Sequence, residues 1–264
     1  MTLLEAVALG ILQGLTEFFP VSSSGHLVLA EAVLGVNPPG VSFEVMVHLA
    51  TLVSVLVLYR RRIVELAVGA VRRETAALRF LGMLALATVP AALAGSTLSG
   101  AISRLFDVPL LADVSLLASG VIVYATRWLM DRGDRRDPGW AGSLAVGVAQ
   151  AVALLPGISR SGATVTTALW AGTRREAAAE FSFLLSVPVI LGASLLEVPE
   201  LVNGEAGVGS LQLVAASLSA FGAGLLAIVL FVRLLRASRF YRFAYYCWAV
   251  GGAYILYSLI TTRA

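Results

Sequence analysis

The stretch EFFPVSSSGH at residues 17–26 interrupts apolar sequence with a carboxylate, three serines and an imidazole. A second stretch, PGISRSGAT at residues 156–164, interrupts another apolar region with an arginine, two serines and a threonine. Ionisable side chains at membrane depth are costly, and those that occur there usually belong to a functional site. The two stretches therefore predict both where the chain breaks and where its polar site lies.

The composition predicts an all-α polytopic membrane protein. Of the 264 residues, 58% are hydrophobic and only 13% are charged, whereas a soluble domain carries about 25% charged residues. The 19 basic residues are all arginine, and they are spread over loops rather than gathered in a basic domain, which argues against nucleic-acid binding. The single cysteine, Cys247, excludes an intrachain disulfide.

Hydropathy predicts six membrane spans and two broken apolar regions. The broken regions, 2–36 and 140–172, each consist of two halves that are too short to cross a bilayer, which indicates re-entrant helical hairpins. The predicted spans are 43–59, 78–99, 109–130, 181–196, 211–235 and 243–261.

The distribution of arginine predicts the orientation, because basic loops face the cytoplasm. Arginines cluster within residues 60–79, 127–136, 174–175 and 233–242, whereas the acidic loop 197–210 contains no arginine. Six alternating spans satisfy this pattern if hairpin 2–36 enters from outside, hairpin 140–172 enters from inside, and both termini lie outside.

An offset of 137 residues relates the two polar stretches, which predicts an internal repeat. Repeat 1 covers about 1–130 and repeat 2 about 138–264 of a single membrane domain, 1–264. Because the arginine pattern inserts the halves with opposite orientation, we expect an inverted-topology repeat with a polar site where the hairpin tips meet. The matched pairs are Gln13 with Gln150, Ser22 with Ser159, Ser24 with Ser161, and Gly25 with Gly162.

The chemistry of the tips points to a phosphate or diphosphate ligand. Helix N-termini favour anions, and the planar guanidinium of Arg160 suits phosphate oxygens. Glu17 and His26 form a possible acid–base pair, and either a serine or His26 itself is a candidate nucleophile. These features predict phosphoryl-group hydrolysis. Further hydroxyl donors are Ser22, Ser23, Ser24, Ser159, Ser161 and Thr164.

Purely structural interpretations stand beside this one. The hydroxyls can bond to the preceding helical turn, Glu17 can serve only as the ion-pair partner of Arg160, and His26 can be a hydrogen-bonded residue at a helix start. His48 can line the site or make a core hydrogen bond. Gln13 can tie its hairpin down or line the site, and the C-terminal tyrosines, Tyr246 among them, are expected in interfacial belts and packing.

The stretches QGLTEFFPVSSSGH (13–26) and PGISRSGAT (156–164) resemble the two signature motifs of the undecaprenyl-diphosphate phosphatase family, also called the bacitracin-resistance family. Glu44 and the stretch EFSFL (180–184) are also similar to family sequence, and the resemblance covers essentially the whole chain. It implies an enzyme of the bacterial inner membrane that hydrolyses undecaprenyl diphosphate to the monophosphate and inorganic phosphate. That reaction recycles the lipid carrier of cell-wall synthesis and confers bacitracin resistance.

The resemblance also implies roles for individual residues. Glu17, His26 and Arg160 would be catalytic, with Ser23 a candidate nucleophile. It further implies a divalent cation, Mg²⁺ or Ca²⁺, with Glu17 as a ligand, a homodimer, and a site open to the outer face. Gln13 stands where some members carry glutamate, which removes one acid from such a metal site. The implied phosphate-pocket residues are Ser22, Ser159, Ser161 and Thr164, and the sequence adds Gln13 and Ser24 as candidate substrate-binding residues.

Two rival functions can be distinguished. The acid-phosphatase-like lipid phosphatases need a lysine-containing motif, and the chain has no lysine. A polyprenyl-phosphate transporter or flippase fits an inverted repeat equally well. Phosphate release by the purified protein without any gradient would separate hydrolysis from transport.

Overall fold

The computed structural model describes residues 1–36, 42–106, 108–203 and 208–261, and the regular secondary structure of these residues is helical. This confirms the predicted all-α class. The α-helices are α1 Leu3–Phe18, α2 Ser23–Leu34, α3 Ser42–Leu58, α4 Arg60–Val71, α5 Thr75–Phe106, α6 Pro109–Tyr124, α7 Thr126–Leu129, α8 Gly139–Val152, α9 Arg160–Trp170, α10 Arg175–Asn203, α11 Ser210–Arg236 and α12 Phe243–Thr261.

Several of these helices are long and apolar enough to cross a bilayer, as expected for a multi-pass membrane protein. Within the described residues, four helical segments meet that requirement, and α3 with α4 makes a fifth if this pair, bent by 74°, is one span. Predicted span 243–261 corresponds to α12. The predicted count of six therefore stays a prediction.

Each predicted hairpin is a pair of short helices broken at its polar stretch. The first pair, α1 and α2, is broken over residues 19–22, and the second, α8 and α9, over residues 153–159. Both breaks contain a residue with a positive φ angle, which ends a right-handed helix. Ser22 and Gly157 adopt φ values of 67° and 89°, in the left-handed region that glycine enters most readily. With 16 residues, α1 is the longest of the four helices, and it spans roughly 24 Å.

Helices from the two halves of the chain pack against each other. In the first hairpin α1 packs on α11, and in the second α8 packs on α5, while α6 packs on α12. A buried aromatic cluster links these layers, with ring centroids of Phe183 lying 5.6 Å from Phe18 and 4.9 Å from Phe231. Because Phe18 directly follows Glu17, this rigid core fixes the position of the first polar break.

The four arginine-rich segments come together at one end of the helix bundle, as the sequence predicted. Their ion pairs join residues that are at least 44 positions apart in the chain, so they cannot arise from local structure alone. We call this the arginine end. The pairs are Arg62 with Glu180, Arg79 with Asp137, Arg175 with Asp131, and Arg236 with Glu176.

Candidate active site

The tips of the two hairpins are in direct contact. Ser161 Oγ donates a hydrogen bond of 3.1 Å to the carbonyl oxygen of Phe19. A Cβ added to Gly162 would lie 3.2 Å from Pro20 Cβ, and one added to Gly25 would lie 3.8 Å from Gly157 Cα. The two backbone breaks thus lie against each other, and of these two glycines only Gly162 lacks room for a side chain.

Glu17 is the centre of the polar network at this contact. Its side chain is only 6% exposed, and its Oε1 accepts a 2.9 Å hydrogen bond from Nη2 of Arg160. Its Oε2 accepts hydrogen bonds from Ser23 Oγ at 2.8 Å and from Gln13 Nε2 at 3.1 Å. One carboxylate therefore joins a cation from the second hairpin to a hydroxyl from the first.

Arg160 has donor capacity left over for a ligand. Its Nη1 is buried and has no hydrogen-bond partner, and its side chain is 15% exposed. It is the first residue of α9, whose N-cap, Ser159, accepts a hydrogen bond from the backbone N–H of Gly162. A buried guanidinium nitrogen beside a helix N-terminus is suited to an oxygen anion.

These groups line a cavity of about 340 Å³. One wall is polar and is supplied by both hairpin tips, including Glu17, Ser23 and Arg160. The apolar wall comes largely from α10, with Val189, Ile190 and Ala193, and from the second hairpin, with Leu154 and Ile158. The polar lining residues are Thr16, Glu17, Ser22, Ser23, Ser24, Glu44, His48, Ser159, Arg160, Ser194 and Glu197.

Two predicted substrate-binding hydroxyls lie outside this lining. Thr164 Oγ1 hydrogen-bonds to Ser182 Oγ at 2.6 Å and donates to the carbonyl oxygen of Arg160 at 2.8 Å. Ser161 Oγ is committed to Phe19, as described above. Both hydroxyls therefore hold the second tip in place, and their direct contact with substrate stays a prediction.

His26 is also outside the cavity lining, although the sequence predicted a catalytic role for it. Its Nδ1 donates to the carbonyl oxygen of Ser22 at 2.8 Å, because a carbonyl can only accept. That fixes the neutral tautomer, so Nε2 accepts the 2.8 Å hydrogen bond from the hydroxyl of Tyr246. Tyr246, expected in interfacial belts and packing, thus belongs to the surroundings of the site.

The structure adds residues of α3 that the motifs did not single out. His48, left open by the sequence, lines the cavity with Nε2 3.7 Å from Glu17 Oε2. Its Nδ1 donates to the carbonyl oxygen of Glu44, and Glu44 also lines the cavity. The spacing of four residues between Glu44 and His48 was the available signal, since it places both on one helix face.

Ser119 of α6 was missed entirely. Its hydroxyl accepts a hydrogen bond from the backbone N–H of Ser159 at 2.8 Å and donates to the carbonyl oxygen of Gly157 at 2.9 Å. It thereby fixes the backbone of the second tip from outside the hairpin. No motif contains it, so the sequence offered no signal for this role.

The two matched glutamines differ in their surroundings. Gln13 donates to Glu17, whereas both amide atoms of buried Gln150 have no hydrogen-bond partner. The residue four positions after Gln150 is Leu154, where the first hairpin has Glu17. The second hairpin therefore contributes its charge through Arg160 instead of a carboxylate.

The predicted divalent cation, with Glu17 as a ligand, stays a prediction. Among the described residues, no group of three or more His, Cys, Asp or Glu side chains has a suitable arrangement. Both oxygens of Glu17 are already hydrogen-bonded, one of them to a guanidinium. A divalent cation held by Glu17 would have to compete with Arg160 for the same carboxylate.

Comparison with known proteins agrees with the resemblance seen in the motifs. The chain is 38% identical to a protein of Desulforapulum autotrophicum named undecaprenyl-diphosphatase, over 95% of this chain and 96% of the relative. A protein of Syntrophotalea carbinolica with the same name is 40% identical over 98% of this chain and 100% of the relative. Residues 6–253 match the family model described as bacitracin resistance protein BacA. The chain therefore belongs to the BacA family.

Proposed function

We propose that the protein hydrolyses undecaprenyl diphosphate to undecaprenyl phosphate and inorganic phosphate. The observation that carries this proposal is the linkage of Ser23, Glu17 and Arg160, in which a hydroxyl, a proton acceptor and a cation meet in one cavity. The names of the relatives specify the lipid, and the apolar wall of the cavity is compatible with a prenyl chain. By recycling the lipid carrier, this activity would support cell-wall synthesis and bacitracin resistance.

In the proposed mechanism, Ser23 Oγ attacks the terminal phosphorus of the diphosphate. Its proton passes to Oε2 of Glu17, which already accepts a 2.8 Å hydrogen bond from it. The bond from that phosphorus to the bridging oxygen breaks, and undecaprenyl phosphate leaves. Water then attacks the phosphorus of the phosphoserine, the bond from phosphorus to Ser23 Oγ breaks, and phosphate leaves while the proton held by Glu17 returns to Ser23.

Arg160 would stabilise the negative charge that builds up on the transferring group. Two observations support this role: its Nη1 has no hydrogen-bond partner, and its side chain lines the same cavity as Ser23. Backbone N–H groups at the start of α2 would add donors on the other side. Electrostatic stabilisation of this kind is the main contribution of proteins to phosphoryl transfer.

The sequence left two roles open for His26, that of the base and that of the nucleophile. In this mechanism Glu17 is the base and Ser23 is the nucleophile. Both ring nitrogens of His26 are engaged away from Ser23, by Ser22 and Tyr246. We therefore assign His26 to holding the Ser22 turn, so that Ser23 is presented to Glu17. His48, 3.7 Å from the same carboxylate, is the imidazole within the cavity.

We propose that any Mg²⁺ or Ca²⁺ requirement belongs to the diphosphate, which binds divalent cations itself. The lack of a suitable ligand cluster among the described residues supports this view. On the protein, Arg160 would then be the group that neutralises the negative charge of the transferring phosphoryl group.

We also propose that the halves form an inverted repeat of six spans and two re-entrant hairpins. In the two repeats α8 is the counterpart of α1, and α11 is the counterpart of α5. The helix contacts follow this relation, since α1 packs on α11 and α8 packs on α5. The tip contacts exchange in the same way, because Pro20 corresponds to Gly157 and Gly25 to Gly162 under the 137-residue offset.

The proposed location is the bacterial inner membrane, with the arginine end inside and the active site open to the periplasmic side. The cavity lining includes Phe106 and Glu197, which lie far along α5 and α10 from the arginine end. The homodimer implied by the resemblance stays a prediction.

Phosphate release from undecaprenyl diphosphate by the purified protein in detergent tests the function. Detergent abolishes any gradient, so a protein that only moves lipid across a membrane would release no phosphate. Turnover that is lost in Arg160→Ala and retained in Arg79→Ala, a change at an exposed ion pair of the arginine end, would support the proposal.

A further inference from the structure

A second groove lies against the first hairpin, on the side that faces the arginine end. Its volume is about 500 Å³, and it runs along α1 between the end of α11 and the start of α12. Thr16 lines both this groove and the active-site cavity. The apolar lining side chains are Leu12, Leu15, Phe19, Val21, Leu234 and Phe243.

Of the polar side chains that line the groove, only those of Arg239 and Arg242 have hydrogen-bond donors that are not already engaged within the described chain. Thr16 Oγ1 donates to the carbonyl oxygen of Leu12 at 2.7 Å, and the Tyr246 hydroxyl is bonded to His26. Arg239 and Arg242, at the mouth of the groove, have no ion pair or side-chain hydrogen bond within the described chain, and no carboxylate lines the groove. The groove is therefore apolar along its length and positively charged at one end.

The loop that carries these arginines has a fixed backbone. Ser238 adopts φ 54° after the end of α11, and the N–H of Arg239 donates to the carbonyl oxygen of Leu234 at 3.0 Å, the bond that defines a Schellman cap. Phe240 is fully buried, with its ring centroid 4.8 Å from that of Phe231. Packing thus holds Arg239 and Arg242 at the mouth in the absence of any ligand.

We propose that this groove binds one anionic phospholipid from the leaflet at the arginine end. The phosphate would lie between Arg239 and Arg242, because guanidinium groups bind phosphate oxygens in a bidentate way. One acyl chain would follow α1 from Phe19, whose ring centroid lies 5.0 Å from that of Phe243, back to Leu12, a path of roughly 10 Å, and the other would stay in the bilayer. Basic pockets between membrane helices recognise lipid headgroups in this manner.

The path of this acyl chain links the lipid to the first hairpin tip. Val21 and Tyr246 both line the groove; Val21 precedes the Ser22 turn, and Tyr246 is the partner of His26. A chain packed there would stabilise the tip from behind, without entering the active-site cavity. The inference therefore does not depend on the proposed hydrolysis.

Native mass spectrometry and thermal unfolding of the purified full chain test the proposal. Dioleoyl phosphatidylglycerol should form a one-to-one adduct and raise the unfolding temperature, while dioleoyl phosphatidylcholine should do neither. The double variant Arg239→Gln/Arg242→Gln should bind phosphatidylglycerol at least about tenfold more weakly, as expected for the loss of charge-assisted hydrogen bonds. The matched control Arg72→Gln/Arg73→Gln removes two exposed arginines from the same end and should bind like the wild type.

A third variant tests the chain path without touching charge. Leu15→Trp should fill the groove and weaken the phosphatidylglycerol adduct while both arginines remain. Equal binding of the neutral lipid, wild-type binding by the Arg239/Arg242 variant, or an equal shift with inorganic phosphate alone would each overturn the proposal. Selective binding of a prenyl phosphate in place of phosphatidylglycerol would overturn the assigned occupant.

Discussion

Glu17 and Arg160 are separated by 143 positions in the chain, yet their side chains meet at 2.9 Å between two interrupted helices. Both are shielded from water, with side-chain exposures of 6% and 15%. Removing one partner of a buried ion pair leaves an uncompensated charge, which destabilises a protein by about 3–5 kcal/mol. The pair thus joins the two hairpins structurally and supplies the charge that the proposed reaction needs.

Arg160→Lys should lower kcat at least about 100-fold, since arginine contacts to transferring phosphoryl groups contribute roughly 10³–10⁵-fold. Lysine keeps the positive charge beside Glu17 but lacks the planar fork that reaches carboxylate and phosphate together. Phosphate release measures the loss, and thermal unfolding should show little change. The same substitution at Arg79, in an exposed pair with Asp137, should leave turnover intact; near-normal turnover by Arg160→Lys would contradict the assignment.

Ser23→Ala should reduce kcat by at least about 10³-fold, as removal of an activated nucleophile does. Ser24→Ala is the matched control: Ser24 lines the same cavity, but its Oγ contacts only Ser22 Oγ, at 3.4 Å. Mass spectrometry of enzyme quenched during turnover should find phosphate on Ser23. A phosphorylated histidine, or equal losses in the two variants, would exclude Ser23 as the nucleophile.

Tyr246→Phe should lower kcat about three- to tenfold, because it removes one hydrogen bond that holds His26. The pH dependence of kcat/KM should keep its shape in this variant and in His26→Gln. If His26 were the general base, His26→Gln would remove the acidic limb of the profile, and the loss would approach the 10²–10⁴-fold that is typical of such groups.

Gly157→Ala should strongly destabilise the fold, whereas Gly25→Ala should be tolerated. Gly157 has φ 89°, and an added Cβ would lie 2.8 Å from Ser115 Cβ; the conformational strain is about 1–2 kcal/mol and overpacking adds about 1–3 kcal/mol. At Gly25 the nearest atom would be 3.6 Å away, in ordinary contact. Thermal unfolding in detergent compares the two, and equal unfolding temperatures would mean that the second tip is not packed as described.

Chelation should reveal where a divalent cation acts. EDTA should reduce hydrolysis of the diphosphate, whereas Mg²⁺ or Ca²⁺ should leave the unfolding temperature of the lipid-free protein unchanged, because the described residues lack a ligand cluster. Stabilisation by a bound ligand grows with its concentration above Kd. A clear rise in unfolding temperature with millimolar Mg²⁺ alone would instead indicate a site on the protein.

Local chemistry made part of the site predictable. Pro20, Pro156 and Gly157 interrupt helices because proline lacks an N–H and glycine tolerates positive φ, so the two breaks could be placed from sequence. Arginines at the loops likewise predicted one basic end. The contact between Arg160 and Glu17 was only one interpretation among others, since it requires the two breaks to lie at the same depth and face each other.

The sequence by itself determined that this chain is helical and apolar, that it breaks at the polar stretches 17–26 and 156–164, and that its polar groups gather near those breaks. These features follow from backbone chemistry and hydropathy, which act over a few residues. Only the tertiary structure decided that His26 turns to Tyr246, that His48 faces Glu17, and that Ser119 holds the second tip. The direction of a side chain on a helix is set by the helices packed around it, and those neighbours come from distant parts of the chain.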